Sequence, residues 1–202
     1  MKLLHIDSSI TGSDSISRRL SRDIVARQRA IHPDLQVEYL DLAAQAPQPL
    51  SLNALGFRAP AQDDSLTEAQ RLENEVSEAL VSQLLETDIV VIGAPMYNFT
   101  IPAQLKSWLD RVAQAGRTFK YTESGPVGLL SDKTVILALS RGGIYSANPD
   151  MEHQESYLKS IFGFMGVSDI RAVRAEGLNM GPEHRERGLA QAQADIQALM
   201  AA

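Results

Sequence analysis

The chain has 202 residues, of which 44% are hydrophobic, so it is long enough to bury one sizeable core. It contains no cysteine, which excludes disulfides, thiolate metal sites and a cysteine nucleophile. Its formal net charge of −6, with no basic run, argues against nucleic acid or an anionic membrane as a partner. The apolar run at 89–96 is far too short to cross a bilayer, and the first residues do not form a signal peptide. We therefore expect a soluble, cytoplasmic protein.

Short apolar runs alternate with helical patterns along the chain, which is typical of an open parallel α/β sheet. The first predicted strand is Lys2–Asp7. A loop of Ser, Thr and Gly residues follows at 8–15, and then a helix whose apolar residues recur at helical spacing from Ile16. The second predicted strand covers 36–42. The segment 43–64 contains three prolines, and a loop of this length inside a compact domain is usually functional or mobile.

The middle of the chain predicts a helix, a strand and a further helix. The helix that precedes the central strand ends near Thr87. Its apolar stripe consists of Leu72, Val76, Leu80 and Leu84. The run 88–94 is almost continuously apolar, as expected of a central strand covered on both faces. Pro102 suits the first turn of the next helix, and Gly116 is a plausible stop.

The last part of the chain repeats the alternation. In order, we predict a loop with aromatic residues at 117–132, a strand at 133–140, a helix around 152–165, a strand at 169–174 and a helix at 182–200. Five alternating units without a sixth strand favour the strand order 2-1-3-4-5. The sequence therefore predicts one flavodoxin-like doubly wound domain over 1–202, with five parallel strands and helices on both faces.

In this order strand two is added on one side of strand one, and strands three to five are added on the other side. Ligands bind beyond the carboxyl ends of strands one and three, where this change of side occurs. The loop 8–15, which is one of three that converge there, carries five hydroxyl groups and a glycine before a helix. Free backbone N–H groups and the helix dipole favour an anion at such a place, and Arg18 and Arg19 would favour a phosphate further. A loop of this composition can equally do no more than connect the strand to the helix and cap the helix.

The other two loops are 95–100 and 140–145. Met96, Tyr97 and Phe99 are large apolar groups in a loop, which indicates a flat apolar ligand oriented by Asn98, unless they are simply core beneath the loop. The glycines at 142–143 would let the backbone approach a ring closely, although an ordinary turn also uses them. A phosphate, a planar ring and backbone donors together describe flavin mononucleotide (FMN).

The side chains show no catalytic constellation of their own. There is no G-x-S-x-G or H-E-x-x-H pattern, and the four histidines have no metal spacing. A redox cofactor would supply the chemistry and leave the protein to bind and orient it. Competing phosphate motifs, G-x-x-x-x-G-K-[ST] and G-x-G-x-x-G after strand one, are missing.

Four segments resemble the bacterial FMN-dependent NADH azoreductases, a quinone reductase-like family, and the similarity covers nearly the whole chain. They are Ala-Pro-Met-Tyr-Asn-Phe at 94–99, Ser-Arg-Gly-Gly at 140–143, the segment 119–126 and Ala-Glu-Gly at 175–177. The resemblance implies a homodimer with two FMN sites at the interface. It also implies alternating half-reactions, in which NADH reduces FMN and leaves before a quinone or azo compound takes the electrons.

The resemblance also implies roles for individual residues. The FMN phosphate and ribityl chain would be held by Ser9, Ser15, Ile16 and Ser17. The isoalloxazine ring would be lined by Pro95, Met96, Tyr97, Asn98 and Phe99. Its polar edge would meet Ser140, Arg141, Gly142 and Gly143. The acceptor pocket would be shaped by Arg58, Tyr121 and Phe162, the two aromatics from the facing subunit.

Two other functional classes remain as alternatives. An electron-carrier flavodoxin would hold FMN but lack its own substrate pocket, and a nicotinamide-dependent dehydrogenase would retain no flavin. The arginines at 18, 19 and 141 argue against the acidic rim expected of a carrier. The sequence leaves open the physiological acceptor, the choice between NADH and NADPH, and whether azo cleavage or quinone reduction is the biological role.

Overall fold

The computed structural model of the protein describes residues 1–54, 66–145 and 148–200. Its strands are β1 (Lys2–Asp7), β2 (Gln36–Asp41), β3 (Ile89–Pro95), β4 (Phe119–Thr122), β5 (Gly125–Gly128), β6 (Thr134–Ser140) and β7 (Asp169–Ala175). Its helices are α1 (Ile16–Ile31), α2 (Glu68–Leu85), α3 (Ala103–Val112), α4 (Glu155–Phe164) and α5 (Pro182–Ala198). Single 3₁₀ turns at Gly12–Asp14 and Pro149–Met151 precede α1 and α4.

Five strands form a parallel sheet in the order β2-β1-β3-β6-β7, which confirms the predicted order 2-1-3-4-5. Every residue of β3 and β6 is buried, because these central strands are covered by helices on both faces. The edge strand β2 is mostly exposed or half-buried. The sheet grows to one side of β1 with β2 and to the other side with β3. The topological switch point therefore lies between β1 and β3, where the sequence predicts it.

The helices form two layers around this sheet. The apolar faces of α2, α3 and α4 pack on one side, around Trp108, the largest fully buried side chain. The faces of α1 and α5 pack on the other side, through residues such as Ile24 and Ile196. Among the described residues, no helix combines the length and the apolar character that a membrane crossing needs.

The predicted apolar stripe of α2 is wrong in its first half. Leu72 is 57% exposed and Val76 44% exposed, whereas Ser77 is fully buried. The polar residue faces inward because the buried guanidinium of Arg111, on α3, donates to Ser77 Oγ at 3.2 Å and pairs with Glu73 at 2.6 Å. A buried charge must be paired and hydrogen-bonded, and this requirement sets the rotation of the helix against its apolar pattern.

The segment predicted as an aromatic loop at 117–132 contains an antiparallel hairpin, β4–β5, in which Tyr121 pairs with Pro126. Local strand propensity does not account for the hairpin, because the segment contains two glycines and a proline. Tertiary contacts do. The backbone of Gly128 lies so close to Gly166, after α4, that a Cβ on Gly128 would be 2.1 Å from the Gly166 nitrogen. The N–H of Leu130 also donates to the Met165 carbonyl at 2.9 Å.

Candidate functional site

The loop after β1 brings hydroxyl groups together at the N-terminus of α1. Ser9, Ser15 and Ser17 are buried, and Ser15 Oγ lies 3.1 Å from Ser17 Oγ. Ser15 is also the N-cap of α1, because its Oγ accepts from the backbone N–H of Arg18 at 3.2 Å. The first N–H groups of the helix, from Ile16 onwards, have no partner within the helix. Hydroxyl donors, free N–H groups and the helix dipole therefore favour an anion such as a phosphate at this place.

The guanidinium of Arg18 points to the loop's backbone and to β2. Its Nε and Nη2 donate to the carbonyl oxygen of Ser9 at 3.2 and 2.8 Å. Its Nη2 and Nη1 contact the Asp41 carboxylate at 2.6 and 2.8 Å, and Nη1 also donates to Tyr39 Oη at 3.0 Å. The hydrogen bond with Asp41 raises the pKa of Arg18 and lowers the pKa of Asp41. Arg18 thus fixes the shape of the loop, while Arg19 is exposed on the helix.

A buried polar network lies at the base of this loop and has no obvious signal in the sequence. Ser21 Oγ donates to Asp7 Oδ1 at 2.7 Å, and Tyr39 Oη donates to Asp7 Oδ2 at 3.1 Å. His5 Nε2 lies 2.9 Å from Ser21 Oγ and 3.6 Å from Asp7 Oδ2. Burial disfavours ionised Asp7, but the contacts with His5, Ser21 and Tyr39 outweigh it and lower the pKa of Asp7. Burial and the neighbouring carboxylates raise the pKa of Tyr39 to about 12.

The loop after β3 is a tight, strained turn. Tyr97 and Thr100 exchange backbone hydrogen bonds of 2.9 and 3.1 Å. Between them, Asn98 and Phe99 have φ angles of 47° and 72°, which lie in the left-handed region. Non-glycine residues there cost on the order of 1–3 kcal/mol, most of all when they are bulky, and such strain clusters at functional sites. Phe99 is held in the strained turn with its ring exposed.

The three predicted loops meet, as the switch point requires. The backbone N–H of Ile10, in the first loop, donates to Tyr97 Oη of the second loop at 3.2 Å. The N–H of Met96 donates to the Ser140 carbonyl at 2.8 Å, which joins the second loop to the third. An apolar cavity of about 590 Å³ borders the first two loops, with Ile10, Tyr97 and Asn98 among its lining residues. The convergence predicted from the sequence is therefore present.

The loop after β6 presents backbone donors. The carbonyl oxygens of Arg141, Gly142 and Gly143 accept hydrogen bonds of 3.2, 2.9 and 2.9 Å from the backbone N–H groups of segment 177–179. The described chain contains no cis peptide bond, so each carbonyl points opposite to the N–H of the next residue. The N–H groups of Gly142 and Gly143 consequently point away from segment 177–179. A Cβ on Gly142 would lie 2.7 Å from the Asn179 side chain, so this loop approaches its neighbour closely.

The Arg141 side chain is 4% exposed and lies on the inner side of this loop. Its Nε donates to Gln154 Oε1 at 2.9 Å, and Gln154 Nε2 donates in turn to the Ala94 carbonyl at 2.9 Å. Its Nη atoms pair, at 2.8–3.3 Å, with the carboxylates of Glu176, Glu152 and Glu155. This cluster ties together the ends of β3, β6 and β7 and the start of α4. Sequence reasoning missed its acidic members, although Glu176 lies within the matched segment 175–177.

The carboxyl group of Glu155 has a strongly lowered pKa. Its burial disfavours the charged form, but hydrogen bonds from Arg174 and Lys159 outweigh that effect and lower the pKa of Glu155 to about 2. Glu155 Oε1 lies 2.5 Å from Arg174 Nη2 and 2.8 Å from Lys159 Nζ. Glu155 therefore carries its charge throughout the neutral pH range and holds α4 against β7.

The residues predicted to shape an acceptor pocket have different surroundings. Tyr121 is 73% exposed on the hairpin and lines a cavity of about 440 Å³ with Leu50 and Phe119. Phe162 is 0% exposed and belongs to the core, because it faces inward on α4; Phe164 is the exposed aromatic of this region. The structure thus corrects the expectation that Phe162 reaches an acceptor. Arg58 lies outside the described residues.

Comparisons with known proteins agree with this architecture. A family model described as a flavodoxin-like fold matches residues 1–200. The FMN-dependent NADH:quinone oxidoreductase of Polaromonas naphthalenivorans is 62% identical over 198 residues, covering 96% of this chain and 91% of the relative. The protein of the same name from Albidiferax ferrireducens is 56% identical over 200 residues, covering 98% of each chain.

Solved structures give the same picture. The crystal structure of azoreductase from Bacillus anthracis str. Sterne matches with a TM-score of 0.91 and 32% identity over 98% of both chains. The FMN-dependent NADH-azoreductase from Bacillus anthracis str. Ames Ancestor, described in complex with FMN, matches with a TM-score of 0.85 and 26% identity over 98% of both chains.

Proposed function

The chain belongs to the flavodoxin-like fold family, and we propose that it is an FMN-dependent oxidoreductase that passes electrons from NADH to quinones. The observation that carries this proposal is the meeting of three strand-end loops, which combine clustered hydroxyls with a strained aromatic turn. The names of relatives at 62% and 56% identity describe the same activity.

The donor set fits FMN. We propose that Ser9, Ser15 and Ser17, with the backbone of Ile16, hold the phosphate and ribityl chain through hydroxyl and N–H donors. The segment 95–99 would line the ring, and segment 140–143 would meet its polar edge through backbone groups. Bound FMN would supply the electron-transfer chemistry. The chain's own groups bind, orient and exclude water, so no side chain is assigned an acid or base role.

We propose a ping-pong course in which the donor and the acceptor use the same crevice in turn. The exposed rings of Phe99 and Tyr121 offer apolar surface to flat acceptors, which supports azo compounds as well as quinones. The names of the solved azoreductase structures support the azo substrates. NADPH is proposed as a weaker donor than NADH, because the relatives are named for NADH.

We further propose that the chain forms a single domain that works as a homodimer in the cytoplasm. Large apolar side chains are exposed near the three loops and the hairpin: Ile10, Phe99, Tyr121, Ile144 and Phe164. Exposed apolar surface of this kind marks interaction sites, and a second copy of the chain would cover it and complete the acceptor pocket. Sedimentation velocity at micromolar concentration tests this point, and a monomer would overturn it.

The central test supplies the purified protein with FMN, desalts it, and measures NADH oxidation with a benzoquinone. We expect retained flavin, rapid NADH oxidation and parallel lines in double-reciprocal plots at several quinone concentrations. A protein that retains FMN but needs a separate reductase would be an electron carrier. A colourless protein after desalting would point to a flavin-free dehydrogenase. Either result refutes the proposal.

A further inference from the structure

A buried glutamine connects the two segments that are proposed to hold the flavin ring. Gln154, the residue that precedes α4, is 0% exposed. Its Nε2 donates at 2.9 Å to the carbonyl oxygen of Ala94, one residue before segment 95–99. Its Oε1 accepts from Arg141 Nε, in segment 140–143, at 2.9 Å. The orientation of the amide is fixed by these partners, because the guanidinium can only donate and the carbonyl can only accept.

The residue before it, His153, holds the strained turn after β3. The backbone N–H of His153 donates to the Phe99 carbonyl at 2.9 Å, and Thr100 Oγ1 donates to the His153 carbonyl at 3.1 Å. These bonds act directly at Phe99, whose φ of 72° persists only if its surroundings maintain it. Residues 153 and 154 therefore contact the end of β3 and the following turn at three points.

The start of α4 is itself firmly placed. Glu152 Oε1 accepts from the backbone N–H groups of Gln154 and Glu155 at 2.8 and 2.7 Å, and its Oε2 accepts from that of Ser156 at 3.2 Å. A carboxylate that accepts the first N–H groups of a helix stabilises its N-terminus. Glu152 also pairs with Arg141 at 3.1 Å, which ties the same turn to segment 140–143.

We propose that Gln154, together with the backbone of His153, is a positioning residue for the flavin. It holds segments 95–99 and 140–143 at the separation that the isoalloxazine ring needs, through its contacts with Ala94 and Arg141. This inference rests on the proposed function, because it takes FMN as the ligand of both segments. Only a side chain with one donor and one acceptor end can make this link, and methionine, of nearly the same length, has no N–H or O–H donor.

Misplaced segments should affect the reduced cofactor more than the oxidised one. The N–H groups of Gly142 and Gly143 are the proposed donors to the polar edge of the ring. Reduction adds negative charge to the ring, and hydrogen bonds to a charged acceptor are about twice as strong as those to a neutral one. Loss of the link should therefore weaken the binding of reduced FMN more than that of oxidised FMN, which lowers the midpoint potential of the bound flavin.

The test compares Gln154→Met with the matched control Gln28→Met. Gln28, at the far end of α1, is also 0% exposed, and its side chain has no hydrogen-bond partner among the described residues. In Gln154→Met we expect the Kd values for FMN and for riboflavin, which share the ring, to rise by the same factor of about ten. The midpoint potential should fall by about 30 mV, which corresponds to a tenfold greater loss of affinity for reduced than for oxidised FMN. In Gln28→Met both Kd values should stay within twofold of native, and the potential should not change.

A second variant, Thr100→Val, removes only the hydroxyl that bonds to the His153 carbonyl. It should shift the potential in the same direction by a smaller amount, and it decides the question if Gln154→Met does not fold. A folded Gln154→Met with a lower Tm but an unchanged potential and unchanged Kd values would have lost only stability, and this result overturns the inference. An unchanged potential in Thr100→Val, when Gln154→Met does not fold, overturns it as well. If the native protein retains no FMN after desalting, the proposed function itself fails.

Discussion

Replacement of Arg18 by Met should weaken FMN binding without changing any group that is proposed to touch the cofactor. Arg18 holds the Ser9 carbonyl with two N–H groups at 3.2 and 2.8 Å and is anchored by Asp41 at 2.6 Å. Without these bonds the loop 8–15 can sample other shapes, and Ser9 must be reordered when the phosphate binds. The expected loss is therefore the cost of restoring the loop.

The magnitude follows from the bonds removed. Hydrogen bonds to a charged group contribute about 1.5–3 kcal/mol, and the lower end applies here because water can partly replace the guanidinium at this half-buried position. A loss of about 1.4 kcal/mol corresponds to a tenfold increase in the Kd for FMN. The assay is quenching of flavin fluorescence, performed in parallel with FMN and with riboflavin, which lacks the phosphate.

The ratio of the two dissociation constants distinguishes a local from a general effect. We expect the affinity for riboflavin to stay within about twofold of native. Arg27→Met is the matched control, because it removes the same charge from α1 away from the loop, and it should bind FMN as the native protein does. Equal losses for FMN and riboflavin would refute the argument, since they would indicate a general disturbance of the fold. An unchanged Kd for FMN would refute it as well.

Three further predictions concern the supports of the site. Arg141→Met removes the ion-pair partner of Glu152 and Glu176 near the ring loop. The free energy of unfolding should therefore fall by about 3–5 kcal/mol and Tm by roughly 10 °C. An unchanged Tm contradicts this, and Arg141→Lys should lose less stability. Because the folded pKa of Glu155 is about 2, below its ordinary 4.5, native stability should decline as the pH falls through that window. When the free energy of unfolding is measured by urea titration at several pH values, Glu155→Gln should show a smaller decline at low pH. An identical decline in the variant and the native protein would count against this role of Glu155. Gly128→Ala places a Cβ against the backbone of Gly166 and should lower the stability of the fold by several kcal/mol. Gly163→Ala places its Cβ in open space and should leave the stability unchanged or raise it. Equal shifts of Tm in the two variants would be inconsistent with this packing.

The fold and the meeting of the loops could be predicted because both depend on regular patterns. The apolar runs of β3 and β6 identify central strands, and the alternation with helices limits the strand order to few choices. Once the order is set, the carboxyl ends of β1, β3 and β6 must be neighbours. The contacts Ile10–Tyr97 and Met96–Ser140 are consequences of that geometry.

The errors arose where tertiary contacts override local pattern. The periodicity of Leu72 and Val76 indicated the wrong face of α2, because a single buried charge, Arg111, required polar partners inside. The hairpin depends on the close approach of Gly128 to Gly166, which no local preference encodes. The resemblance alone predicts a pocket role for Phe162, but the position of this residue on α4 directs it into the core.

The arginines near the site follow a common physical logic that residue type alone does not reveal. Arg18 and Arg141 are paired with carbonyls and carboxylates, so near the proposed flavin they set the backbone shape. The proposed contacts with the cofactor are left to hydroxyls and N–H groups. Such preorganised neutral donors suit a resident cofactor, because little reordering accompanies its binding.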